Sequence, residues 1–364
     1  MTKPLPEYLP RKFQRIHLEL TNRCNFSCLF CPDAKMSRSR AFIDEDLARS
    51  ALDQIAELDI AEKITFHVMG EPLLHPRFFQ ILDHALDRRL KVGLTTNGAL
   101  LKPQTIEALA ARDIHQIDIS LQSPDEESFR ATRGSRIDFD KYCRRILDLL
   151  AACSAKDKRP IFKIRMMTTR FAKRMRDQLG IPDFMGTGRD LRNTVLDWTE
   201  RIYDRLALDG DARKKLPERV RRISIFRWNV IEVSPGIFIE TYVLSNWANA
   251  FSDEEIIEAR YGYCFGMRDH FAILCNGDVV LCCIDFDGKT VVGTLVDSTL
   301  DQILRGPLLE PIVKGFRTAR LVHPYCRRCL GSKSVLGSWT KPVLSVLGLK
   351  VLKPWFYRKY KLYE

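Results

Sequence analysis

The 364-residue sequence lacks the features that would place a protein outside the cytoplasm. Its first seven residues, MTKPLPE, contain no apolar segment of the kind found in secretory signals. No uninterrupted apolar run reaches the roughly 18 residues that a membrane-spanning helix requires. Internal repeats and low-complexity tracts are also absent. From these absences we expect a soluble, cytoplasmic protein.

Acidic residues are in short supply relative to basic ones. The chain has 46 Asp and Glu against 58 Lys and Arg, which gives a formal net charge of +12. A positive surface can bind nucleic acid, an anionic substrate or a membrane. No nucleic-acid-binding motif accompanies the charge, so we expect no nucleic-acid partner. The basic residues recur in several stretches, namely Arg88-Arg89, Lys156 to Arg159, Arg213 to Arg222 and Lys350 to Lys361.

Cysteine, by contrast, is plentiful, and three of the eleven cysteines lie on one loop. Cys24, Cys28 and Cys31 have the spacing C-x3-C-x2-C and follow the strand-like run Ile16–Leu20. In a reducing compartment, clustered cysteines indicate metal binding or catalysis rather than disulfides. Cubane iron–sulfur clusters usually have four cysteine ligands, and no fourth cysteine follows within about a hundred residues. The loop therefore predicts a cluster with one open iron, a feature of catalytic rather than structural sites.

From Arg15 to about Ile164 the sequence alternates short strand-like runs with amphipathic helical stretches. Repeated βα units of this size predict a parallel sheet, either open or curled into a barrel. Ligands in such folds bind at the carboxyl ends of the strands, where the cysteine loop lies. The predicted strands are Ile16–Leu20, Lys63–Val68, Lys91–Thr95, Gln116–Ser120 and Phe162–Met167, and the predicted helices are Glu45–Leu58, Phe78–Arg88, Pro103–Ala111 and Phe139–Ala152.

The remaining sequence changes character several times. We expect residues 1–14 to be an N-terminal extension and residues 15–250 to form the α/β domain, with a helical insert at about 171–222. Further strands are predicted at Ile223–Phe226 and Ile237–Leu244. A cysteine-rich domain is expected at 251–335. Residues 336–364 form a basic, aromatic tail, which we expect to be solvated or packed on the core rather than docked on an anionic membrane.

Three further motifs follow the predicted strands in order: Gly70-Glu71-Pro72, Thr96-Asn97-Gly98 and Ile119-Ser120-Leu121-Gln122. Together with the cysteine loop they resemble the signature of the radical S-adenosylmethionine (SAM) superfamily over roughly residues 12–170. Met69 replaces the first glycine of that family's GGEP-type motif. The resemblance implies a partial (β/α)6 TIM-like barrel.

The resemblance also implies cofactors. Cys24, Cys28 and Cys31 would bind a [4Fe–4S] cluster whose open iron is chelated by SAM, and Phe30 would line the adenine pocket. Reductive cleavage of SAM would then give a 5′-deoxyadenosyl radical, with the cofactor carrying the hard chemistry. An external one-electron donor such as flavodoxin or ferredoxin is expected. The alternative for the loop is a structural zinc site completed by a distant residue such as Cys143.

Five more residues are expected to contact SAM by the same resemblance. The backbone of Gly70 and the carboxylate of Glu71 would bind the methionine ammonium. Asn97 and Ser120 would contact the ribose or the carboxylate, and Arg133 would pair with the carboxylate. The alternatives stay open, because Glu71 is also explained as an ordinary carboxylate at a strand end and Asn-Gly is a common turn dipeptide.

A second group of cysteines comprises Cys264, Cys282, Cys326 and Cys329. Asn276-Gly277 predicts a hairpin turn between the first two of them. The pattern resembles the auxiliary-cluster domain of SPASM and twitch radical SAM enzymes. No cysteine follows Cys329, so we expect the shorter, twitch-type version with one fully ligated auxiliary [4Fe–4S] cluster.

Two alternatives remain for this second group. The same ligands suit a tetrahedral zinc ion. The neighbouring Cys283 could also replace Cys282 as the ligand. Cys143 and Cys153, which lie in a predicted helix, are expected to be buried apolar residues without a metal.

A fully ligated second cluster favours electron transfer, which predicts an oxidoreductase. We expect dehydrogenation of a small polar substrate, such as a cyclitol or a sugar. Modification of a ribosomal peptide, by thioether formation or epimerisation, is the alternative enzyme reaction. A metal-bearing nucleic-acid-binding protein is the non-enzymatic alternative. The sequence identifies no catalytic base, although Arg165 at a strand end is a candidate for binding substrate.

Overall fold

A computed structural model describes residues 4–134, 137–156, 158–169, 173–208, 211–252 and 254–352. The chain divides into two compact units. The first unit consists of residues 1–20, 35–64 and 246–364, and the second of residues 21–34 and 65–245. The end of the predicted basic tail, residues 353–364, lies outside the described residues.

Ten strands and twelve α-helices are found in the described parts of the chain. The strands are β1 Arg15–Leu18, β2 Ile64–Phe66, β3 Val92–Thr96, β4 Gln116–Gln122, β5 Ile161–Thr168, β6 Asn229–Ser234, β7 Ile237–Val243, β8 His270–Ile273, β9 Asp278–Val280 and β10 Val291–Thr294. The helices are α1 Glu45–Leu58, α2 Phe78–Asp87, α3 Pro103–Ala110, α4 Glu126–Arg133, α5 Phe139–Ser154, α6 Lys173–Leu179, α7 Gly188–Leu206, α8 Asp211–Arg221, α9 Leu300–Leu304, α10 Leu309–Arg317, α11 Pro324–Leu330 and α12 Val335–Ser345.

The second unit is built on a mostly parallel sheet. Its strand order is β2-β3-β4-β5-β7-β6, with parallel pairing from β3 through β7 and antiparallel pairing only at the β6 edge. One face of β4, β5 and β7 is apolar and buried, as Ile117, Ile164 and Ile239 illustrate. This arrangement confirms the predicted parallel βα repeats and brings the carboxyl ends of the strands to one edge.

Capping side chains and prolines mark where the helices begin. The Asp44 side chain caps α1 by accepting hydrogen bonds from the backbone of Asp46 and Leu47, and Pro103 occupies the first turn of α3. The predicted helix bounds agree with the observed ones to within two residues. The helical insert predicted at about 171–222 contains α6, α7 and α8 in its described parts.

The first unit contains four strands in the order β10-β9-β8-β1. Strands β8 and β9 form the predicted hairpin, and Gly277 adopts a φ of +90° in its turn. Strand β8 also pairs in parallel with β1, where the Phe13 and Phe271 rings pack edge to face at 4.8 Å. This unit holds the second group of cysteines.

The strand predicted at Ile223–Phe226 is wrong, because this segment forms a turn after α8. The Asn229 side chain accepts a hydrogen bond from the Ser224 backbone and donates to the Ser224 and Arg227 carbonyls. These bonds close the loop, and strand β6 starts only at Asn229. The Phe226 side chain is left 75% exposed.

A buried ion pair stabilises the first unit. The Arg38 guanidinium donates to both oxygens of Glu19 at 2.8 and 2.9 Å, and the Glu19 side chain is fully buried. Glu19 also accepts from the backbone of Cys275 at 3.0 Å. The pair thus joins β1 to the segment after the cysteine loop and to the β8–β9 hairpin.

We expect Glu19→Ala to lower the free energy of unfolding by about 3–5 kcal/mol, because it leaves a buried guanidinium without its partner. Urea denaturation measures this loss. The matched control is Glu310→Ala, which breaks the exposed Glu310–Lys314 pair of the same unit and should cost less than about 1 kcal/mol. Equal losses of unfolding free energy in the two variants would contradict the role of Glu19 as the partner of a buried guanidinium.

Candidate functional site

The first cysteine loop lies in the second unit. Cys28 and Cys31 are half-buried, Cys24 is exposed, and the Cys31 backbone donates to the Cys28 carbonyl at 3.0 Å. Burial is the largest cause that raises the pKa of the Cys24 thiol to about 11 and that of Cys31 to about 12, and the neighbouring thiols contribute to both rises. A bound metal cluster would offset this cost of ionisation, because metal binding stabilises the thiolate.

In the described part of the chain, which includes all eleven cysteines, no three His, Cys, Asp or Glu side chains are arranged to hold a single metal ion. A four-iron cluster is larger than one ion, so its cysteine ligands need not approach one another as zinc ligands do. The donor set at the first loop is therefore compatible with the predicted cluster.

Gly70 allows the segment after β2 to pack against the base of the cysteine loop. Its φ is +71°, and a Cβ there would lie 2.3 Å from the Thr21 carbonyl oxygen and 2.6 Å from that of Arg23. The Glu71 backbone donates to the same Arg23 carbonyl at 2.8 Å. Only glycine fits this position, which explains why the motif requires it.

The Glu71 carboxylate is buried and accepts three hydrogen bonds. Its donors are the Thr96 hydroxyl at 2.7 Å, the Asn97 backbone at 2.6 Å and the Leu73 backbone at 3.2 Å. Burial nevertheless raises the pKa of Glu71 to about 7. The residue thus ties the end of β2 to the end of β3, and a cation bound beside it would stabilise its ionised form.

The raised pKa of Glu71 predicts a pH-dependent stability. The unfolded carboxyl has a pKa of 4.5 and the folded one about 7, so the folded metal-free chain binds a proton more tightly in this window. Its stability should therefore fall as the pH rises from 4.5 to 7, relative to the Glu71→Gln variant, which has no group to ionise there. Urea denaturation of the two proteins across this range measures the difference. Parallel curves would contradict the raised pKa.

Asn97 connects β3 to the cysteine loop. Its side-chain amide donates to the Asn25 side chain at 2.8 Å and lies 3.6 Å from the Cys24 sulfur. Its backbone carbonyl accepts from the Tyr142 hydroxyl at 2.7 Å. The residue is therefore more than the plain turn that its sequence allowed, although the turn at Gly98 is present with a φ of +80°.

Arg133 is a buried cation beside the loop. Its Nη1 lies 3.4 Å from the Cys28 sulfur, and its Nη2 donates to the Ser120 backbone carbonyl at 2.7 Å. The guanidinium carbon lies 4.7 Å from the ring centre of Phe26 and 5.7 Å from that of Phe30. These contacts hold it by cation–π attraction as well as hydrogen bonding.

One nitrogen of Arg133 supports the predicted pairing with a carboxylate. Within the described residues its buried Nε has no hydrogen-bond partner. A bound carboxylate would satisfy this donor, and leaving it unsatisfied is costly. The predicted Phe30 and Ser120 both lie beside this guanidinium, although the observed contact of Ser120 uses its carbonyl rather than its hydroxyl.

The carboxyl end of α4 also holds the cysteine loop, a contact that the sequence did not indicate. The Ser27 and Leu29 backbones donate to the carbonyls of Arg133 and Thr132 at 3.3 and 2.9 Å. Gly134 ends the helix with a φ of +58°, and a Cβ there would lie 2.1 Å from the Ser27 hydroxyl. No sequence signal marks this docking except the glycine after the helix.

We expect Arg133→Met to lower the reduction potential of the cluster at the first loop by tens of millivolts, because it removes a positive charge next to Cys28. A redox titration followed by electron paramagnetic resonance measures the shift. Arg133→Lys keeps the charge and should restore most of it. The control is Arg130→Met on the exposed side of the same helix, and an equal shift there would contradict the proximity effect.

The other face of the sheet carries charged side chains. Arg165 on β5 forms ion pairs with Asp118 on β4 and Glu240 on β7, both at 3.1 Å, and Lys163 pairs with Glu240 at 2.8 Å. Two carboxylates balance two cations, and the Arg165 side chain remains 23% exposed. These four side chains form a polar strip that is neutral overall, in which Arg165 is the most exposed member and Asp118 and Glu240 are buried.

The strip continues toward the carboxyl end of β4. The Tyr242 hydroxyl donates to the Gln122 side chain at 2.7 Å. Gln122 has a φ of +60° at a break in the register between β4 and β5. A non-glycine residue in this conformation is strained, and such strain is concentrated at functional sites.

The second group of cysteines is assembled in the first unit. Cys282 follows β9, whereas Cys326 and Cys329 lie on α11. Burial raises the pKa of Cys282, and the charges of Cys264, Cys283 and Cys329 raise it further. Burial and Cys264 likewise raise the pKa of Cys329, to about 11. The four predicted thiols are thus electrostatic neighbours, which fits a shared cluster.

The neighbouring Cys283 has a different environment. Its sulfur lies 3.9 Å from Nε2 of His270 on β8. Cys282 interacts electrostatically with Cys264 and Cys329, and also with Cys283 itself. The choice of Cys282 rather than Cys283 as the ligand stays a prediction. Cys143 and Cys153 are buried in α5, as predicted.

Two parts of the sequence match known domain families. Residues 18–168 match the radical SAM superfamily, and residues 264–330 match the SPASM iron–sulfur cluster-binding domain. The chain is 34% identical over 117 residues to the AdoMet-dependent heme synthase of Methanosarcina barkeri, covering 32% of this chain and 33% of that protein. It is 28% identical over 162 residues to the mycofactocin maturase MftC of Mycobacterium tuberculosis, covering 42% and 40%. The matches span between a third and two fifths of these relatives.

Solved structures resemble the chain over a greater length. SuiB of Streptococcus suis, bound to the precursor peptide SuiA, has a TM-score of 0.55 at 14% identity, covering 85% of this chain and 68% of that one. Native anSMEcpe with bound AdoMet has a TM-score of 0.50 at 13% identity, covering 95% and 99%. These likenesses concern the fold. They confirm the predicted TIM-like α/β fold followed by a cysteine-rich domain.

Proposed function

We propose that this chain, which belongs to the radical SAM superfamily and carries a SPASM domain, oxidises a small polar substrate by a radical mechanism. The radical SAM domain implies SAM and a [4Fe–4S] cluster, and the SPASM domain implies an auxiliary iron–sulfur cluster, so the predicted cofactors are confirmed. Because this superfamily consists of enzymes, the protein is an enzyme rather than the non-catalytic nucleic-acid-binding protein of the alternative hypothesis. The reaction and the roles of individual residues are our proposal.

The first loop and its surroundings would bind the cluster and SAM. Cys24, Cys28 and Cys31 supply the thiolates, and Arg133 offers its free Nε to the carboxylate of SAM. Glu71 supplies a buried negative charge that would stabilise an ammonium group. When bound, these groups supply a 5′-deoxyadenosyl radical that abstracts hydrogen and an auxiliary centre that accepts an electron.

The oxidation of an alcohol to a carbonyl balances in atoms and electrons with this radical and this auxiliary centre. Loss of a hydrogen atom to the SAM-derived radical would break the C–H bond. Loss of the O–H proton to a base and of one electron would complete the carbonyl, and Cys264, Cys282, Cys326 and Cys329 would hold the centre that takes up that electron. Each turnover begins with one electron from an external donor, for which a flavodoxin or a ferredoxin is suitable.

The proposed class of substrate rests on the charged strip on β4, β5 and β7. Asp118, Lys163, Arg165 and Glu240 offer donors and acceptors with no net charge. A polyol or an amino sugar can exchange hydrogen bonds with both signs of charge, which an apolar substrate cannot do.

The proposal is tested with the anaerobically reconstituted protein, dithionite, SAM and panels of polyols, amino sugars and short peptides. We expect one 5′-deoxyadenosine for each product that has lost two hydrogens and reacts with hydroxylamine as a carbonyl. The variant Arg165→Met should raise KM for that substrate while SAM cleavage without substrate stays unchanged. A product formed without SAM cleavage would sink the proposal.

Peptide modification is the second candidate. SuiB, which shares the fold, has a structure with a precursor peptide, and MftC is named a maturase. A thioether product would also lose two hydrogens but would not react with hydroxylamine. Consumption of peptides, without any polyol or amino sugar, would favour this second function.

A further inference from the structure

The last described helix presents its polar and small residues to its own domain. Helix α12 continues as a π-helical segment, Val346–Leu352. Ser338, Pro342 and Ser345 are buried, and the Ser345 hydroxyl oxygen accepts from the Tyr263 backbone at 2.9 Å. The Lys341 amine donates to the Cys329 carbonyl at 2.7 Å and to that of Gly331 at 3.1 Å. The helix is thus fixed to the cysteine-rich domain by its polar side.

The opposite face is apolar and exposed to solvent. Trp339 is 62% exposed and Leu336 and Leu344 are 75% and 66% exposed. The exposed apolar residues of this helix are Val335, Leu336, Trp339, Val343, Leu344, Leu347, Val351 and Leu352. A helix on a soluble domain normally buries its apolar stripe, so this inverted arrangement indicates an interaction surface.

The composition of this helix suits a membrane. Val335–Leu352 has a mean hydropathy of 1.2 over 18 residues and few buried residues, which meets the length and composition of a spanning helix. Its polar side is hydrogen-bonded to the domain, and Lys341 lies in its middle. These contacts suit a helix that lies in the plane of the membrane surface better than one that crosses it.

The charge in the sequence around this helix is of one sign. Residues 311–363 contain twelve Lys and Arg and no Asp or Glu. This number equals the net charge of the whole chain, so the rest of the sequence is neutral overall. A second copy would bring the same charge, and the two surfaces would repel each other.

The sequence after the helix strengthens the match to lipid. Residues 353–364 read KPWFYRKYKLYE, with five aromatic and four basic residues. Tryptophan and tyrosine are enriched where membranes meet water, and basic residues next to them are attracted to anionic headgroups.

We propose that Val335–Leu352, together with the basic residues around it, docks the protein on an anionic lipid surface. The apolar face enters the boundary between headgroups and acyl chains, and the basic residues contact the headgroups. The hydrogen bonds of Lys341 and Ser345 hold the cysteine-rich domain against that surface.

Sedimentation of the reconstituted full chain with vesicles tests this docking. We expect binding to vesicles of phosphatidylcholine and phosphatidylglycerol, and at least about tenfold weaker binding to phosphatidylcholine alone. Leu336→Glu with Leu344→Glu should weaken binding at least about tenfold. The matched control, Val296→Glu with Leu308→Glu, changes apolar residues of the same domain that are 66% and 59% exposed, and should bind like the wild type.

Neutralising basic residues gives an independent test of vesicle binding. Arg358→Gln, Lys359→Gln and Lys361→Gln together should weaken binding roughly a hundredfold at low salt. Unchanged iron content shows that each variant keeps its clusters. The proposal is overturned by no binding to anionic vesicles, or by equal losses in the helix and control variants. It is also overturned by a dimer that the helix substitutions dissociate while vesicle binding is absent.

Discussion

Replacing Cys24, Cys28 and Cys31 with alanine should reduce 5′-deoxyadenosine formation to background. These residues are the three thiols of the first loop, and without them nothing holds the iron that SAM must chelate. The iron content should also fall from about eight to about four per chain, since the second group keeps its own cluster. Anaerobic reconstitution followed by chromatography of the nucleoside measures the first result, and iron analysis measures the second.

The matched control replaces Cys143 and Cys153, which are buried in α5 and lie in neither group. This variant should keep both its iron and its SAM cleavage. If only the control variant lost SAM cleavage, the reaction would depend on Cys143 or Cys153 and not on the cysteine loop. Unchanged cleavage in the loop variant would refute the assignment of the loop.

Replacing Cys264, Cys282, Cys326 and Cys329 with alanine should have the opposite pattern. The iron content again falls to about four per chain, but SAM cleavage persists because the first loop is intact. The oxidised product should disappear, since the electron left on the substrate radical has no acceptor within the protein. Product analysis with the substrate found in the panel above measures this uncoupling.

Two single variants refine this prediction. Cys283→Ala should keep about eight irons, because Cys282 is the thiol coupled to Cys264 and Cys329. Cys275→Ala changes a buried thiol of the same domain that lies beside Arg38, and should also keep them. Loss of iron in Cys283→Ala but not in Cys282→Ala would reverse the assignment of the ligand.

Local pattern determined the parts of the fold that the sequence predicted well. The amphipathic helices and the parallel strands follow from the spacing of apolar residues and from caps such as Asp44. The strand predicted at Ile223–Phe226 was wrong because the Asn229 side chain closes a loop there, and a short apolar run carries no sign of such a bond.

The candidate site was predicted less completely than the fold. The motifs marked Gly70, Glu71 and Asn97, yet the three hydrogen bonds to Glu71 depend on where β2 and β3 end. The contact of Arg133 with Phe26 depends on how α4 docks against the loop. Such contacts join residues that are distant in the chain, so periodicity and composition do not reveal them.

The last helix shows a further limit of sequence patterns. Its apolar residues, among them Leu336 and Trp339, have the composition of a buried helix. Hydropathy does not say which face is buried, and here the bonds of Lys341 and Ser345 turn the polar face inward. The orientation follows from those tertiary contacts.

Mössbauer spectroscopy of the reconstituted protein, with and without SAM, tests the central claim most directly. The claim is that one cluster has an open iron and the other is fully ligated. We predict about eight irons per chain in cubane clusters, of which about one changes its coordination when SAM is added. A spectrum that SAM leaves unchanged, or one in which two irons respond, would contradict the claim.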